Sequence, residues 1–378
     1  MDRPLSAEQV NPAALKANFA AVATHGDDVA MYFYNYLFLT HPEVRSMFPL
    51  AMTDQRDRLL TALVRIVTHV DRMAELEPYL AELGRDHRKF GAIADHYPAV
   101  GDALLATLGH FSGPSWTDAL AANWSAAYSA VARAMAGAAA DADAVEPAWY
   151  DGEIVRVDRR TFDLAVLRLR TEVAVPYRAG QSVALQATEL RPRIWRPYTP
   201  ATPPGSTEFD LHVRAIDGGT LSTALVRAAR PGDPVRLGSP YGRMFLDPDA
   251  YRPLLMIAGG TGLAPMKAML EQLAAQGGRP THLFHGVRTG RELYANDWLD
   301  RMAAEHHQWL TVVTATSDDE HWGGPRGRIG ELAASQAEWA GYDVYVCGSP
   351  EMVEGTVKAL VFRGVSEDRI VFEEFGKA

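Results

Sequence analysis

The sequence predicts a multi-domain chain: an all-α domain over residues 1–140, an antiparallel β-barrel over 148–247 and an α/β doubly wound parallel sheet over 251–378. Three observations carry that reading. Through the first third, apolar positions recur at helical spacing, alanine is abundant and no stretch alternates as a strand does. From Glu153 the period becomes two, and short apolar runs are separated by Pro/Gly turns. From Tyr251 onward buried apolar runs alternate with helical stretches, the pattern of βαβ units.

Composition narrows the classes. The formal net charge of −10 argues against a nucleic-acid or anionic-membrane partner. The single cysteine, Cys347, excludes intrachain disulfides and cysteine-rich metal sites. No apolar run approaches about 18 residues, and Met1-Asp2-Arg3-Pro4 leads into polar sequence, so the expectation is a cytoplasmic protein without a signal peptide or membrane span.

In the helical third, Pro42, Pro49, Pro98 and Pro114 punctuate the periodic segments. Thr53-Asp54 reads as the N-terminal cap of a helix with the stripe Leu59, Leu63, Ile66, Val67 and Val70, and Gln55 falls on the same face. The next helix carries Leu76, Leu80, Leu83, His87 and Phe90, which turns His87 inward amid charged neighbours. From pattern alone, an inward histidine in an all-helical domain is either a haem ligand or a core histidine bonded to a carbonyl.

Residues 10–135 resemble the globin domain of the flavohaemoglobins, which adds to that reading. The run Tyr32 to Phe38 matches the second helix of that domain. Phe48 matches the phenylalanine that stacks on haem, and Asp54-Gln55-Arg56 with Leu59 matches the distal helix. His87 with Phe90 matches the proximal helix, followed by Tyr97, Val100-Gly101, Leu104 to Leu108, Trp124 and Tyr128. The resemblance implies haem b with His87 as the iron ligand, Tyr34 and Gln55 as distal donors to dioxygen, and Leu59 as an apolar gate. Tyr34 also sits in an aromatic run where core packing would explain it. Tyr97 is the family's proximal tyrosine, but the glutamate that accompanies it falls here near Ala139. Either Asp141 or Asp143 takes its place through a shifted register, or His87 lacks an anionic partner.

Gly137 to Pro147 is small, acidic and without helical period, and marks the first domain boundary. Beyond it Glu153–Val157, Phe162–Leu169, Ser182–Gln186 and Phe209–Ala215 read as strands of a small barrel. Ile194-Trp195-Arg196-Pro197-Tyr198-Thr199, with Gly180-Gln181 upstream, resembles the flavin signature of the ferredoxin-NADP reductase superfamily. An arginine offers a fork of donors to phosphate, a tyrosine a flat face to the isoalloxazine, and a small hydroxyl reaches the reactive ring edge. Gly219-Thr220-Leu221-Ser222 opens a short helix whose N–H groups suit a pyrophosphate, although an ordinary glycine turn has the same pattern. Ser182 stands where flavohaemoglobins commonly carry tyrosine. The cofactor implied is FAD.

In the last third, the strand Leu254–Ala258 runs into Gly259-Gly260-Thr261-Gly262-Leu263-Ala264-Pro265 and a helix through Ala275, the context that makes a glycine loop a phosphate site. Further strands are expected at Leu283–Val287, Leu310–Ala315, Val344–Cys347 and Ile370–Phe372. Cys347-Gly348-Ser349-Pro350 matches the superfamily segment beside the nicotinamide, and Phe375 in the tail matches the aromatic cover of the isoalloxazine. Arg288, Arg291 and Tyr294 could grip a 2′-phosphate, although surface arginines are common, so the reductant is NADH or NADPH, with NADH slightly favoured. The order of modules resembles a flavohaemoglobin and implies a nitric oxide dioxygenase acting on dioxygen, nitric oxide and NAD(P)H. Two rivals stand beside it: a reductase for a peroxide, a quinone or a partner protein, and an oxygen-binding or sensing globin with its own reductase.

Overall fold

The computed structural model describes residues 10–376. The chain divides into two compact units, the first ending at Trp149 and the second beginning at Tyr150.

The first unit is helical: α1 (Pro12–Ala23), α2 (Asp27–Thr40), α3 (Thr53–Thr68), α4 (Met73–His87), α5 (Tyr97–Ser112) and α6 (Asp118–Asp143), with 3₁₀ turns between several of them. Asn11 and Thr117 cap α1 and α6 by accepting backbone N–H groups at their first turns. Thr53-Asp54 does not act as the expected cap. Helix α3 already begins at Thr53, its cap position is Met52, and no side chain caps it. Helix α6 continues through Asp143, past the point where its apolar period fades, because the alanine run Ala138–Ala140 favours helix without needing a partner face.

Two apolar clusters fill this unit. One gathers Leu15, Phe33, Tyr34, Leu37, Leu104, Leu108 and Trp124, with Phe48 and Leu59 at its margin. The other gathers Leu76, Leu80, Val131 and Met135 from α4 and α6, with Leu83 and Tyr97 at its margin. Helix α4 lies close on α6 because Gly84 has no side chain: a Cβ there would stand 2.2 Å from the Met135 carbonyl oxygen. That crossing sets the position of His87, less than one turn further along α4.

The second unit begins with an antiparallel sheet of β1 (Tyr150–Arg159), β2 (Leu164–Thr171), β3 (Val183–Ala187), β4 (Arg196–Tyr198), β5 (Glu208–Arg214) and β6 (Pro234–Leu237), in the order β4-β3-β6-β1-β2-β5. A bridge between Pro200 and Leu211 brings the end of β4 back to β5, so the sheet is a nearly closed barrel. Inward residues such as Ile154, Leu167, Leu185, Phe209 and Leu237 fill it, and α7 (Thr220–Arg227) plugs it with Leu221 and Leu225.

A parallel sheet follows: β7 (Leu254–Gly259), β8 (Thr281–Val287), β9 (Leu310–Thr316), β10 (Asp343–Gly348) and β11 (Ile370–Glu374), ordered β11-β10-β7-β8-β9. The helices α8 (Leu263–Ala275), α9 (Asn296–Glu305), α10 (Ile329–Gln336) and α11 (Pro350–Phe362) connect the strands. Separate apolar clusters form on the two faces of this sheet, one with α8 and α9 and the other with α10 and α11. The order reverses at β7, so ligands are expected at its carboxyl end. No helix among the described residues is long and apolar enough to cross a membrane.

Candidate functional site

Two sites emerge, one in each unit. In the helical unit His87 ends α4, and its Nδ1 meets the Leu83 carbonyl oxygen at 2.7 Å. That bond places the ring proton on Nδ1 and leaves the Nε2 lone pair unengaged by any described residue. Burial holds the imidazole's pKa below its usual value, which keeps it neutral and able to ligate. Phe90 stands edge-on to the ring, with centroids 6.2 Å apart. Both alternatives left open by the pattern are thus present in one side chain: His87 is bonded to a carbonyl and still has a nitrogen free for iron.

On α2, Tyr34 is buried, and its hydroxyl donates to the Gln55 carbonyl oxygen at 3.3 Å. Burial pushes its pKa up to about 12, so it is a neutral donor. Its ring packs against Phe38 and Phe48, at 5.7 and 5.6 Å. The structure therefore joins Tyr34 to Gln55 and Phe48, and Leu59 lies one turn beyond Gln55 on α3. Tyr97 opens α5 at the margin of the apolar cluster that Leu83 also borders, and its carbonyl accepts the Tyr128 hydroxyl at 2.6 Å. Asp141 is exposed and Asp143 bonds Arg88, so neither expected acid serves the imidazole. A free imidazole nitrogen, a neutral hydroxyl donor and half-buried Phe48, Leu59, Leu83 and Phe90 are the donor set and apolar walls that haem b requires.

The second unit contains a cleft of about 800 Å³ at the carboxyl ends of β7, β8 and β10. Its wall includes Arg196, Pro197, Tyr198, Thr199, Gly260, Thr261, Ala264, Gly348 and Phe375. Residues drawn from four separate stretches of sequence therefore meet in one place. Gly262 lies just behind the wall, and its lack of a side chain lets the loop touch β10: a Cβ would stand 2.2 Å from the Cys347 carbonyl oxygen. Leu263 and Pro265 are buried with it. Cys347 is fully buried and burial pushes its thiol pKa well up, which makes it a packing residue rather than a thiolate.

Other expected residues sit off this wall. Gln181 holds its own turn, accepting from the Arg178 N–H at 2.9 Å and donating to the Gly242 carbonyl at 3.2 Å. Gly219 is the cap position of α7, followed by Thr220, Leu221 and Ser222 in its first turn. The Ser222 hydroxyl turns back to the Gly219 carbonyl at 3.3 Å, and the Leu221 side chain is in the barrel core. The N–H groups of this first turn and the exposed Thr220 hydroxyl are what the segment can offer a phosphate.

Of the residues that could grip a 2′-phosphate, Arg288 lines the cleft and Tyr294 does not. Tyr294 is buried, with its hydroxyl 2.8 Å from His212 Nδ1, and Arg288 pairs with Glu292 at 3.3 Å. Burial drew the tyrosine inward, something loop composition does not reveal.

Three groups at this cleft carried no local signal. Arg214 donates to Glu292 at 2.7 Å, while its buried Nη2 has no hydrogen-bond partner and its Nε lies 3.7 Å from Asp163. An orphaned guanidinium nitrogen on a cleft wall fits an anionic cofactor. His212 also lines the cleft, and burial depresses its pKa to about 3. Glu373 lies beside Phe375, and burial raises its pKa. It accepts the Ser182 hydroxyl at 2.7 Å, and Ser182 in turn lies 2.9 Å from the Thr199 hydroxyl. Ser182 thus links Thr199, the threonine of the expected flavin signature, to an acid.

Comparison with known proteins agrees module by module. Residues 32–135 match the globin family, 152–246 the oxidoreductase FAD-binding domain and 256–358 the oxidoreductase NAD-binding domain. A flavohemoprotein of Chromobacterium violaceum is 27% identical over 96% of each chain. The ferredoxin–NAD(P)+ reductase component of a naphthalene 1,2-dioxygenase system from Pseudomonas putida is 32% identical, over 59% of this chain and 68% of its own. The crystal structure of a Malassezia yamatoensis flavohemoglobin superposes with a TM-score of 0.78 over 98% of this chain and 99% of that one, at 21% identity, so the fold is shared throughout. Fold and matches together define a haem- and flavin-dependent oxidoreductase that takes electrons from a nicotinamide nucleotide. In the order of its modules and in its fold the chain is similar to the flavohaemoglobins along nearly its whole length.

Proposed function

We propose that this chain is a nitric oxide dioxygenase, converting nitric oxide and dioxygen to nitrate at the expense of NAD(P)H. The observation that carries the proposal is the pairing, in one helical unit, of a neutral imidazole with a free Nε2 and a buried hydroxyl donor bonded to the neighbouring distal helix. When bound, haem and FAD would supply the redox chemistry, the flavin able to exchange electrons in pairs or singly and the iron able to bind dioxygen.

The chain's own residues bind, orient and hold protons. His87 offers Nε2 to iron with its ring fixed by the Leu83 carbonyl. Tyr34 turns its hydroxyl from the Gln55 carbonyl to dioxygen, and the Gln55 amide is a second donor. Leu59 keeps that pocket apolar. In the reductase unit, Arg196 and the N–H groups at the start of α7 would hold the flavin's phosphates, and Tyr198 would offer its face to the ring. The glycine loop Gly260–Gly262 takes the nicotinamide nucleotide's phosphates, with Leu263, Ala264 and Pro265 fixing the helix behind it. Gly348 and Phe375 bound the space where nicotinamide meets flavin. The Glu373 carboxylate accepts the Ser182 hydroxyl and is connected through it to Thr199, whose hydroxyl would face the flavin.

The test is anaerobic reduction by NADH, followed by a pulse of dioxygen and nitric oxide, with nitrate measured. The expected result is stoichiometric nitrate within a few turnovers. Rapid NADH oxidation without nitrate would instead favour a reductase for another acceptor, and tight dioxygen binding with negligible turnover would favour an oxygen-binding globin.

A further inference from the structure

Arg88 follows His87 directly and is almost wholly buried, with 3% of its surface exposed. A buried guanidinium is tolerated only when paired. Here its Nε donates to Asp143 Oδ1 at 2.7 Å, its Nη1 to Glu146 Oε1 at 3.3 Å and its Nη2 to the Glu146 carbonyl oxygen. Both carboxylates come from the last residue of α6 and the turn beyond it, the end of the helix on which α4 rests. The neighbouring imidazole is left with a neutral partner, the Leu83 carbonyl.

A carboxylate on the far nitrogen of a metal-bound histidine raises its basicity, whereas a carbonyl does so less. We propose that Arg88 is a positioning residue of the proximal side. It takes up the acids at the end of α6, so that His87 meets iron as a neutral, carbonyl-bonded imidazole and the ferrous state is favoured. The inference rests on His87 being the iron ligand. Ala139 lies one helical turn before Asp143 on α6, so an acid placed there shares the face that Arg88 contacts. Arg88, whose guanidinium already gathers Asp143 and Glu146 on that face, would draw the added acid to itself before the imidazole does.

The experiment uses the full haem- and FAD-loaded chain. It compares wild type, Ala139→Glu, Arg88→Gln and the double variant by the iron–histidine stretching frequency of the ferrous protein and by haem midpoint potential. Wild type and Ala139→Glu should both show the low frequency of a carbonyl-bonded imidazole. In the double variant the added carboxylate is released to His87. The frequency should then rise and the ferric form gain about tenfold over the ferrous, equal to a potential about 59 mV lower for one electron. A high frequency in wild type, a shift in Ala139→Glu alone, or no shift in the double variant would overturn the proposal. If Arg88→Gln fails to fold, the wild-type frequency and the Ala139→Glu result still decide. Failure of the underlying ligand assignment looks different: His87→Ala would then keep the wild-type haem spectrum.

Discussion

Replacing Tyr34 by phenylalanine deletes one oxygen atom and keeps the ring that packs on Phe38 and Phe48. The hydroxyl already donates to the Gln55 carbonyl over a rather long 3.3 Å. To hold dioxygen it must leave that acceptor, so its contribution is a difference between two bonds. A bond to a charged acceptor is worth about 1.5–3 kcal/mol and one between neutral groups about 0.5–1.5 kcal/mol. The net loss for a partly anionic dioxygen is then about 1–1.5 kcal/mol, or roughly five- to tenfold in affinity. Stability should change little, because the Gln55 carbonyl keeps its α-helical partner within α3. Stopped-flow mixing should show dioxygen leaving the ferrous variant about five- to tenfold faster. Nitric oxide consumption should fall, and flavin reduction by NADH should be unchanged. Equal dioxygen release and equal nitric oxide turnover in the two proteins would remove Tyr34 from the mechanism. A variant that loses haem would show that the tyrosine's role is packing.

His87→Ala should lose haem or its normal spectrum while FAD stays bound, read from the ratio of haem to flavin absorbance; unchanged ligation rejects the assignment. Arg196→Ala should weaken FAD by about 1.5–3 kcal/mol, or roughly ten- to a hundredfold, as a charge-assisted donor to phosphate is lost; equilibrium titration of FAD into apoprotein measures it, and an unaltered constant relocates the phosphate. Burial depresses His212 to about 3 and His285 to about 4 from an unfolded value near 6.5. Both contribute stability that is complete above about pH 6.5 and is lost as the pH falls toward those values. Heat-induced flavin release should therefore shift to lower temperature between about pH 6.5 and 4, and His212→Gln should flatten part of that slope. A flat wild-type profile would mean that these rings are not held neutral.

What the sequence disclosed follows the range over which each signal acts. The glycine loop before α8 was legible because a strand, a turn and a helix start are local events, each fixed within a few residues. The same holds for the His87 face of α4, where spacing alone turns the ring inward. The expected cap at Thr53 failed for an equally local reason: threonine and aspartate serve at a cap or in a first turn, and composition does not choose between them.

The contacts that tune the chemistry act over longer range and leave no spacing to read. Ser182 and Glu373 are 191 residues apart and meet only because the barrel and the last strand converge on one cleft. Seen alone, Ser182 was a missing aromatic contact; folded, it joins an acid to the flavin-signature threonine. Arg88 and Asp143 are 55 residues apart, and in the sequence Asp143 was a possible stand-in for a lost glutamate. The structure gives that carboxylate to the arginine beside the histidine instead. A departure from a family pattern therefore locates a change in chemistry, but its direction depends on which neighbour the fold brings to the altered position.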